Sequence, residues 1–199
     1  MTDSVYAPPK SDLRTVAADS TDAFYVVSLT KMMVLFIATM GGYQLYWHYK
    51  NWRLVEQRSL SEGGPDSDVW PVPRAVFSIF FIHSLFGKVK DYALAQERPA
   101  DFNNTLTATL IVLMSLFGLT GMFVKEPKLL LLLSAASLIL LTPIALLYRK
   151  AQRFINETCG DPMGSSNAQF TAANYIWIVV GVLVWLMQLG GLFVLASAP

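Results

Sequence analysis

The chain has 199 residues, of which 54% are hydrophobic and only 15% carry a charge, and its net charge at neutral pH is +1. Soluble domains usually contain about 25% charged residues, so this composition excludes an ordinary soluble protein, and the near-zero charge gives no reason to expect a nucleic-acid partner. Four apolar runs are each long enough to cross a bilayer, which takes a helix of about 20 residues. The sequence therefore predicts an all-α polytopic membrane protein, with four transmembrane helices plus one short interfacial or re-entrant helix.

The first 22 residues are polar, contain four aspartates and do not resemble a signal peptide, so we expect a flexible tail at 1–22. Residues 23–199 are predicted to form a single transmembrane domain. Its first span is expected at about 24–47, where Lys31 is the only charged residue. We expect the Lys31 ammonium to reach the outer headgroups along its flexible stem. The alternative is a lysine that attracts an anion or pairs with another subunit.

A dense group of rings and cations ends the first span, and we call it the aromatic–basic cluster. Its members are Tyr43, Tyr46, Trp47, Tyr49, Lys50, Trp52 and Arg53. Tyr and Trp rings collect at headgroup depth, so one interpretation is that the cluster only anchors the first helix. The other interpretation is contact with anionic lipid or with a membrane-protein partner, since each cation near an anionic leaflet contributes about 1 kcal/mol.

A segment with prolines at 71 and 73 precedes a predicted helix at about 74–96, whose apolar part covers 75–87. That part rises only about 20 Å, which is too short to cross hydrocarbon of about 30 Å. The helix is therefore predicted to lie in the cytoplasmic interface, and a re-entrant helix is the alternative. It adds three cations to the surface that would contact lipid or a partner: Arg74, Lys88 and Lys90.

The remaining spans are predicted at about 106–124, 129–148 and 175–196. With four spans, the loops at 48–104 and 149–173 lie on one side and contain ten Lys and Arg residues, whereas the opposite side contains four. Cytoplasmic loops are enriched in cations, so we expect these loops in the cytoplasm and both termini outside.

Two stretches of the chain carry a resemblance to a protein family: Gly42-Tyr43-x-x-Tyr46-Trp47-x-Tyr49-Lys50-Asn51-Trp52 and the later Arg74-Ala-x-Phe77-Ser78. They resemble an uncharacterised family of small bacterial multi-pass inner-membrane proteins, a domain of unknown function. The likeness covers roughly residues 40–90 and 145–190. The resemblance implies a bacterial inner membrane and no particular activity.

The predicted spans contain no Asp or Glu, and the sequence has no nucleophile, nucleotide-binding or zinc-protease motif. His48, His83 and Cys159 lack the short spacing of metal ligands, so we predict no catalytic, cofactor-binding or metal site. The leading hypothesis is a non-enzymatic scaffold or accessory subunit of a membrane complex, with a membrane-protein partner or a second copy of the chain. The alternative is a membrane enzyme or lipid-handling protein that acts at the cytoplasmic interface. The third hypothesis is a small-solute transporter.

Overall fold

The described part of the chain, residues 23–197 of this computed structural model, is helical and contains no strand. Its seven α-helices are α1 (Leu29–Ala38), α2 (Tyr43–Glu62), α3 (Pro71–Val76), α4 (Ser78–Ala95), α5 (Asn104–Leu119), α6 (Pro127–Cys159) and α7 (Ala172–Ala196). The predicted all-α class is confirmed. The predicted polar tail at 1–22 lies outside the described residues.

Three helical stretches in the described chain are long and apolar enough to cross a membrane: Asn104–Phe123, Pro127–Cys159 and Ala172–Ala196. They match the spans predicted at 106–124, 129–148 and 175–196 to within one residue at the end of the first, and little of their surface is buried within the protein. α6 has 33 residues and is about 50 Å long, so its last turns extend beyond the hydrocarbon. The chain is therefore a multi-helical membrane protein.

The first span predicted at 24–47 is not one helix in the structure. α1 has ten residues, which rise about 15 Å and cannot cross a bilayer alone. The chain then turns through Met40, with φ at 52°, and Gly41, with φ at 85°, and this left-handed conformation ends a right-handed helix. The Thr39 hydroxyl accepts a hydrogen bond from the first N–H of α2 at 2.8 Å and stabilises the turn.

α2 runs back towards the side from which α1 came. The backbone N–H of Tyr25, just before α1, donates to the side chain of Asn51, halfway along α2, at 3.1 Å. The turn between the two helices packs between α6 and α7, where a Cβ on Gly41 would lie 3.3 Å from the Leu141 side chain. Residues 29–52 thus enter and leave the bundle on one side, and we call them the helical hairpin.

The extended segment 23–28 lies on the same side of the bundle as the connection between α6 and α7. The Ser28 N–H donates to the carbonyl of Asn167 in that connection at 3.3 Å. α7 leads away from this connection for about 37 Å, so the two ends of the described chain lie at opposite ends of the bundle. The first and last residues of the chain lie outside the described part, so the placement of both termini outside stays a prediction.

Four amide side chains hold the extended segment 23–28, and three of them are fully buried. At Tyr25, the N–H donates to the Asn51 side chain at 3.1 Å and the carbonyl accepts from the Gln152 side chain at 2.9 Å. The Val26 carbonyl accepts from the Asn167 side chain at 2.9 Å. At Val27, the Asn156 side chain accepts from the N–H at 3.4 Å and donates to the carbonyl at 2.9 Å. A buried backbone group without a partner is costly, so these amides replace the pairing that a helix would provide.

The helix predicted at 74–96 is divided into α3 and α4 at Phe77. α3 packs on α2, and α4 packs on α5, α6 and α2. Within the apolar part predicted at 75–87, Ile82 and Phe86 are buried, whereas Val76 is 59% exposed. The backbone of Phe77, with ψ at 36°, is not helical, so this apolar part is not one continuous helix.

Candidate functional site

A cavity of about 570 Å³ lies between the helical hairpin, α3 and α7, and we call it the groove. Its volume is typical of small-molecule sites, which measure about 300–1,000 Å³. The lining is mostly apolar and consists of Leu35, Thr39, Gly42, Tyr43, Leu45, Tyr46 and Tyr49 from the hairpin, Val72, Ala75 and Val76 from α3, and Thr171, Ala173, Asn174, Trp177, Val180, Gly181 and Val184 at or next to α7.

The groove forms because the two helices of the hairpin meet α7 differently. α1 packs closely on α7: a Cβ on Gly181 would lie 2.1 Å from the Ala38 carbonyl oxygen, so only glycine permits this approach. The indole N–H of Trp185 donates to the Ile37 carbonyl at 2.8 Å and reinforces the same contact. α2 makes no close backbone contact with α7, so the space between these two helices stays open.

The groove runs along α7 and is open at its side. Its lining on α7 extends from Ala173 to Val184, which is about 16 Å at 1.5 Å per residue. One leaflet contributes about 15 Å of hydrocarbon, so the groove matches the depth of a leaflet. Lining side chains such as Tyr46 and Trp177 are 44% and 58% exposed, which leaves the interior accessible from the surroundings of the bundle.

The end of the groove near the start of α7 is polar, and we call it the polar end. There Thr171 and Asn174 form a capping box, in which the Thr171 N–H donates to the Asn174 side-chain oxygen at 2.9 Å. From α2, the Arg53 guanidinium donates to the Tyr49 hydroxyl at 2.8 Å. The opposite end is closed by the turn of the hairpin and by the close α1–α7 contact.

Two lysines lie at the polar end and are connected through Asn167. Lys31 is 3% exposed, and its ammonium donates to the Asn167 side chain at 2.6 Å and to the Gln169 carbonyl at 2.7 Å. Asn167 also donates to the Tyr25 hydroxyl at 3.1 Å, and the Lys50 ammonium lies 5.8 Å from the centre of the Tyr25 ring. The predicted contact of Lys31 with the outer headgroups is replaced by these bonds, because the start of α1 lies beside the α6–α7 connection.

The aromatic–basic cluster is divided between the two faces of α2. Tyr43, Trp47 and Trp52 are 7%, 0% and 0% exposed, so they belong to the core and are not free to anchor the helix in headgroups. Trp47 also donates its indole N–H to the Gln152 side chain. Tyr43 also lines the groove. The remaining four members lie at the groove or at its polar end: Tyr46, Tyr49, Lys50 and Arg53.

The three cations predicted on the second helix do not line the groove. The Arg74 guanidinium lies 4.3 Å from the centre of the Trp52 ring, a cation–π contact that joins α3 to α2. Lys88 pairs with Asp66 at 2.5 Å and, unlike Lys90, lines a second, charged cavity between α2 and α4. The predicted surface of ten residues is therefore not one continuous patch.

Two titratable groups away from the groove, His48 and Asp161, are bonded to neighbouring residues of the fold. His48 is fully buried, with its Nε2 2.9 Å from the Tyr148 hydroxyl, and burial lowers the pKa of His48 to about 3. The backbone N–H groups of Ser166 and Ser165 hold the pKa of the Asp161 carboxyl below its usual range. No group of three His, Cys, Asp or Glu side chains within residues 23–197 is arranged to hold a metal ion.

The sequence analysis missed the amide side chains that organise this region. Gln152 and Asn156 are four residues apart, so they share one face of α6, and two uncharged amides within a basic segment were a usable signal for an inward-facing polar contact. Asn167 lies in a loop and shows no periodicity, so nothing in the sequence alone indicates that it joins Lys31 to Tyr25.

The chain matches no protein-family model, no curated protein and no solved structure at a significant level. The resemblance to small bacterial membrane proteins therefore stays a prediction.

Proposed function

We propose that the protein is a lipid-binding membrane protein whose groove holds one acyl chain of a lipid. The observation that carries this proposal is the groove itself, a cavity of about 570 Å³ with mostly apolar walls. An acyl chain matches such walls, while the glycerol esters and the headgroup would meet the hydroxyl and amide groups of Tyr49 and Asn174. This is the lipid-handling alternative of the sequence analysis, and the geometry favours it over the scaffold hypothesis.

The depth and charge of the groove support a lipid as its occupant. The 16 Å length estimated from α7 equals about one leaflet of hydrocarbon, and the side opening lets a chain enter from the bilayer without crossing headgroups. The described cations next to the groove lie at its polar end, where Lys50 and Arg53 follow the lining residue Tyr49 in the sequence. A transmembrane helix of a partner crosses both leaflets, so it would need a cleft longer than the thickness of one leaflet.

The proposed topology has three spans, with the helical hairpin re-entrant and with α3 and α4 in the interface. Eleven of the described Lys and Arg residues lie on the side of segment 23–28, whereas Lys125 and Lys128 lie on the other side. This asymmetry supports a cytoplasmic placement of segment 23–28, with the end of α7 outside. The resemblance of the Gly42–Trp52 motif supports a bacterial inner membrane.

The second candidate function is the accessory subunit of the sequence analysis. Gly190 and Gly191 on α7 have no atoms within 4 Å of the position of an added Cβ, so a helix of a partner or of a second copy could approach closely there. This surface is separate from the groove, and the two functions can be tested independently.

A groove-filling substitution tests the proposed function. Val180 lines the groove and is 43% exposed, whereas its neighbour Val179 does not line the groove and is 62% exposed. Val180→Trp should fill the groove, and Val179→Trp is the matched control on the same helix. In membranes that contain a phospholipid with a photoactivatable acyl chain, we expect labelling of the wild-type groove to fall at least about fivefold in Val180→Trp.

Equal labelling of Val180→Trp and the wild type would contradict the proposed function. Loss of labelling in Val179→Trp as well would point to general disturbance of α7, and it would also count against a groove-specific site. A second membrane protein that is retained by the wild type, lost in Gly190→Leu and unaffected by Val180→Trp would support the accessory-subunit function.

A further inference from the structure

The polar end of the groove carries positive charge that no acidic side chain within residues 23–197 pairs with. Lys31, Lys50 and Arg53 are the cations at this end. Within residues 23–197 the ion pairs are Lys88–Asp66 and Arg153–Glu157. None of the three cations at the polar end therefore has a carboxylate partner in the described chain.

The surroundings of Lys31 are unusual for a buried charge. Its bonds to described residues go to two neutral acceptors, the Asn167 amide oxygen and the Gln169 carbonyl oxygen. A buried charge normally requires an opposite charge nearby. Gln169 is two residues before the lining residue Thr171, and Leu35, one turn after Lys31 on α1, also lines the groove, so the Lys31 ammonium lies next to the polar end.

The cations form one connected site with the groove. Asn167 links Lys31 to the Tyr25 hydroxyl, and the ring of Tyr25 contacts both Lys50 and the lining residue Tyr46, each at 5.8 Å. Arg53 reaches the same end through the Tyr49 hydroxyl. Asp161 is an acid close to Asn167 in the sequence, and its carboxylate accepts hydrogen bonds from the backbone N–H groups of Ser165 and Ser166 instead of pairing with one of these cations.

We propose that the polar end recognises an anionic headgroup, so that the groove selects lipids with a net negative charge over zwitterionic ones. Lys50 and Arg53, which are more exposed, contact the headgroup phosphate, and Lys31 provides a fixed positive charge behind them. This inference rests on the proposed function, because the acyl chain in the groove places the headgroup at the polar end. Each cation near an anionic lipid contributes about fivefold in affinity, converted from about 1 kcal/mol.

The test measures binding of two lipids that differ only in headgroup charge. Purified full-length protein in mild detergent at low ionic strength is titrated with phosphatidylglycerol or phosphatidylcholine of identical chains, and bound lipid is counted by native mass spectrometry. We expect the wild type to prefer phosphatidylglycerol at least about tenfold. Lys50→Gln/Arg53→Gln should lose about 25-fold in phosphatidylglycerol affinity, and Lys31→Gln, which keeps a donor for Asn167, about fivefold.

The matched control removes two cations from the same side of the protein. Arg149 and Lys150 are exposed on α6 and do not line the groove, so Arg149→Gln/Lys150→Gln should change the affinity less than about twofold. An equal loss in this control would assign the effect to general surface charge and overturn the inference. Persistence of the preference in Lys50→Gln/Arg53→Gln would also overturn it.

Failure of the inference and failure of the proposed function give different results. Equal, saturable binding of both lipids that Val180→Trp abolishes would keep the acyl-chain groove and refute charge selection. Binding of neither lipid by the wild type would refute both. Saturable binding of glycerol 3-phosphate with wild-type affinity in Val180→Trp would identify a site for small anions and overturn the lipid assignment.

Discussion

Removal of the Asn156 side chain is expected to destabilise the protein strongly, because this amide holds segment 23–28 in place. Asn156 is fully buried, accepts from the Val27 N–H at 3.4 Å and donates to the Val27 carbonyl at 2.9 Å. In Asn156→Ala both groups of Val27, itself fully buried, lose their partner. A buried group left unpaired costs about 1–3 kcal/mol, and since the N–H bond is long the total is about 2–4 kcal/mol.

The expected change in unfolding temperature follows from that free energy. For a protein of this size, 1 kcal/mol corresponds to about 2–4 °C, so a loss of about 2–4 kcal/mol in Asn156→Ala should lower the unfolding temperature by about 4–16 °C. Thermal unfolding in detergent can be followed by tryptophan fluorescence, because Trp47 and Trp52 are buried beside this region. The control is Glu157→Ala, which removes only an exposed ion pair and should shift the temperature by less than about 2 °C. A shift as small as the control's in Asn156→Ala would refute the role given to the amide.

The remaining predictions concern helix packing, pH dependence and topology. Gly181→Ala should lower the free energy of unfolding by at least about 1–3 kcal/mol, because the added Cβ would lie 2.1 Å from a carbonyl oxygen of α1. Gly190→Ala is the control, since its Cβ would meet open space and should change the stability little. Equal melting temperatures of the two variants would disprove the close α1–α7 contact. Burial lowers the pKa of His48 to about 3, so stability should be full above pH 7 and fall as the pH drops from about 6.5 towards 3, by up to about 1.4 kcal/mol per pH unit; His48→Gln should show a shallower pH dependence of its melting temperature, and an unchanged slope would contradict this origin. In a background without the native cysteine, Lys128→Cys should react with an impermeant maleimide added to intact cells and Lys150→Cys should not, and the reverse pattern would overturn the proposed orientation.

Several features of this protein could be predicted from the sequence because they depend on local properties. The apolar runs at 106–124, 129–148 and 175–196 identified the helices that can cross a membrane, since the length of an apolar helix is a local requirement of the bilayer. The rings and cations at 43–53 were recognised as a notable group, but their division between core and groove depends on which face of α2 meets α6. That partner lies about 100 residues away in the sequence, as the bond between His48 and Tyr148 illustrates.

The sequence by itself determined that this is an all-helical membrane protein, because hydrophobic length and helical propensity are read from neighbouring residues. The path of its first 30 described residues was decided only by the tertiary structure. An apolar run has the same composition whether it crosses the bilayer or turns back, and here Met40 and Gly41 adopt positive φ while Asn51, Gln152 and Asn156 bond the distant segment 23–28. The groove depends on the same fold, since it is the space that remains when α1 packs on α7 and α2 does not.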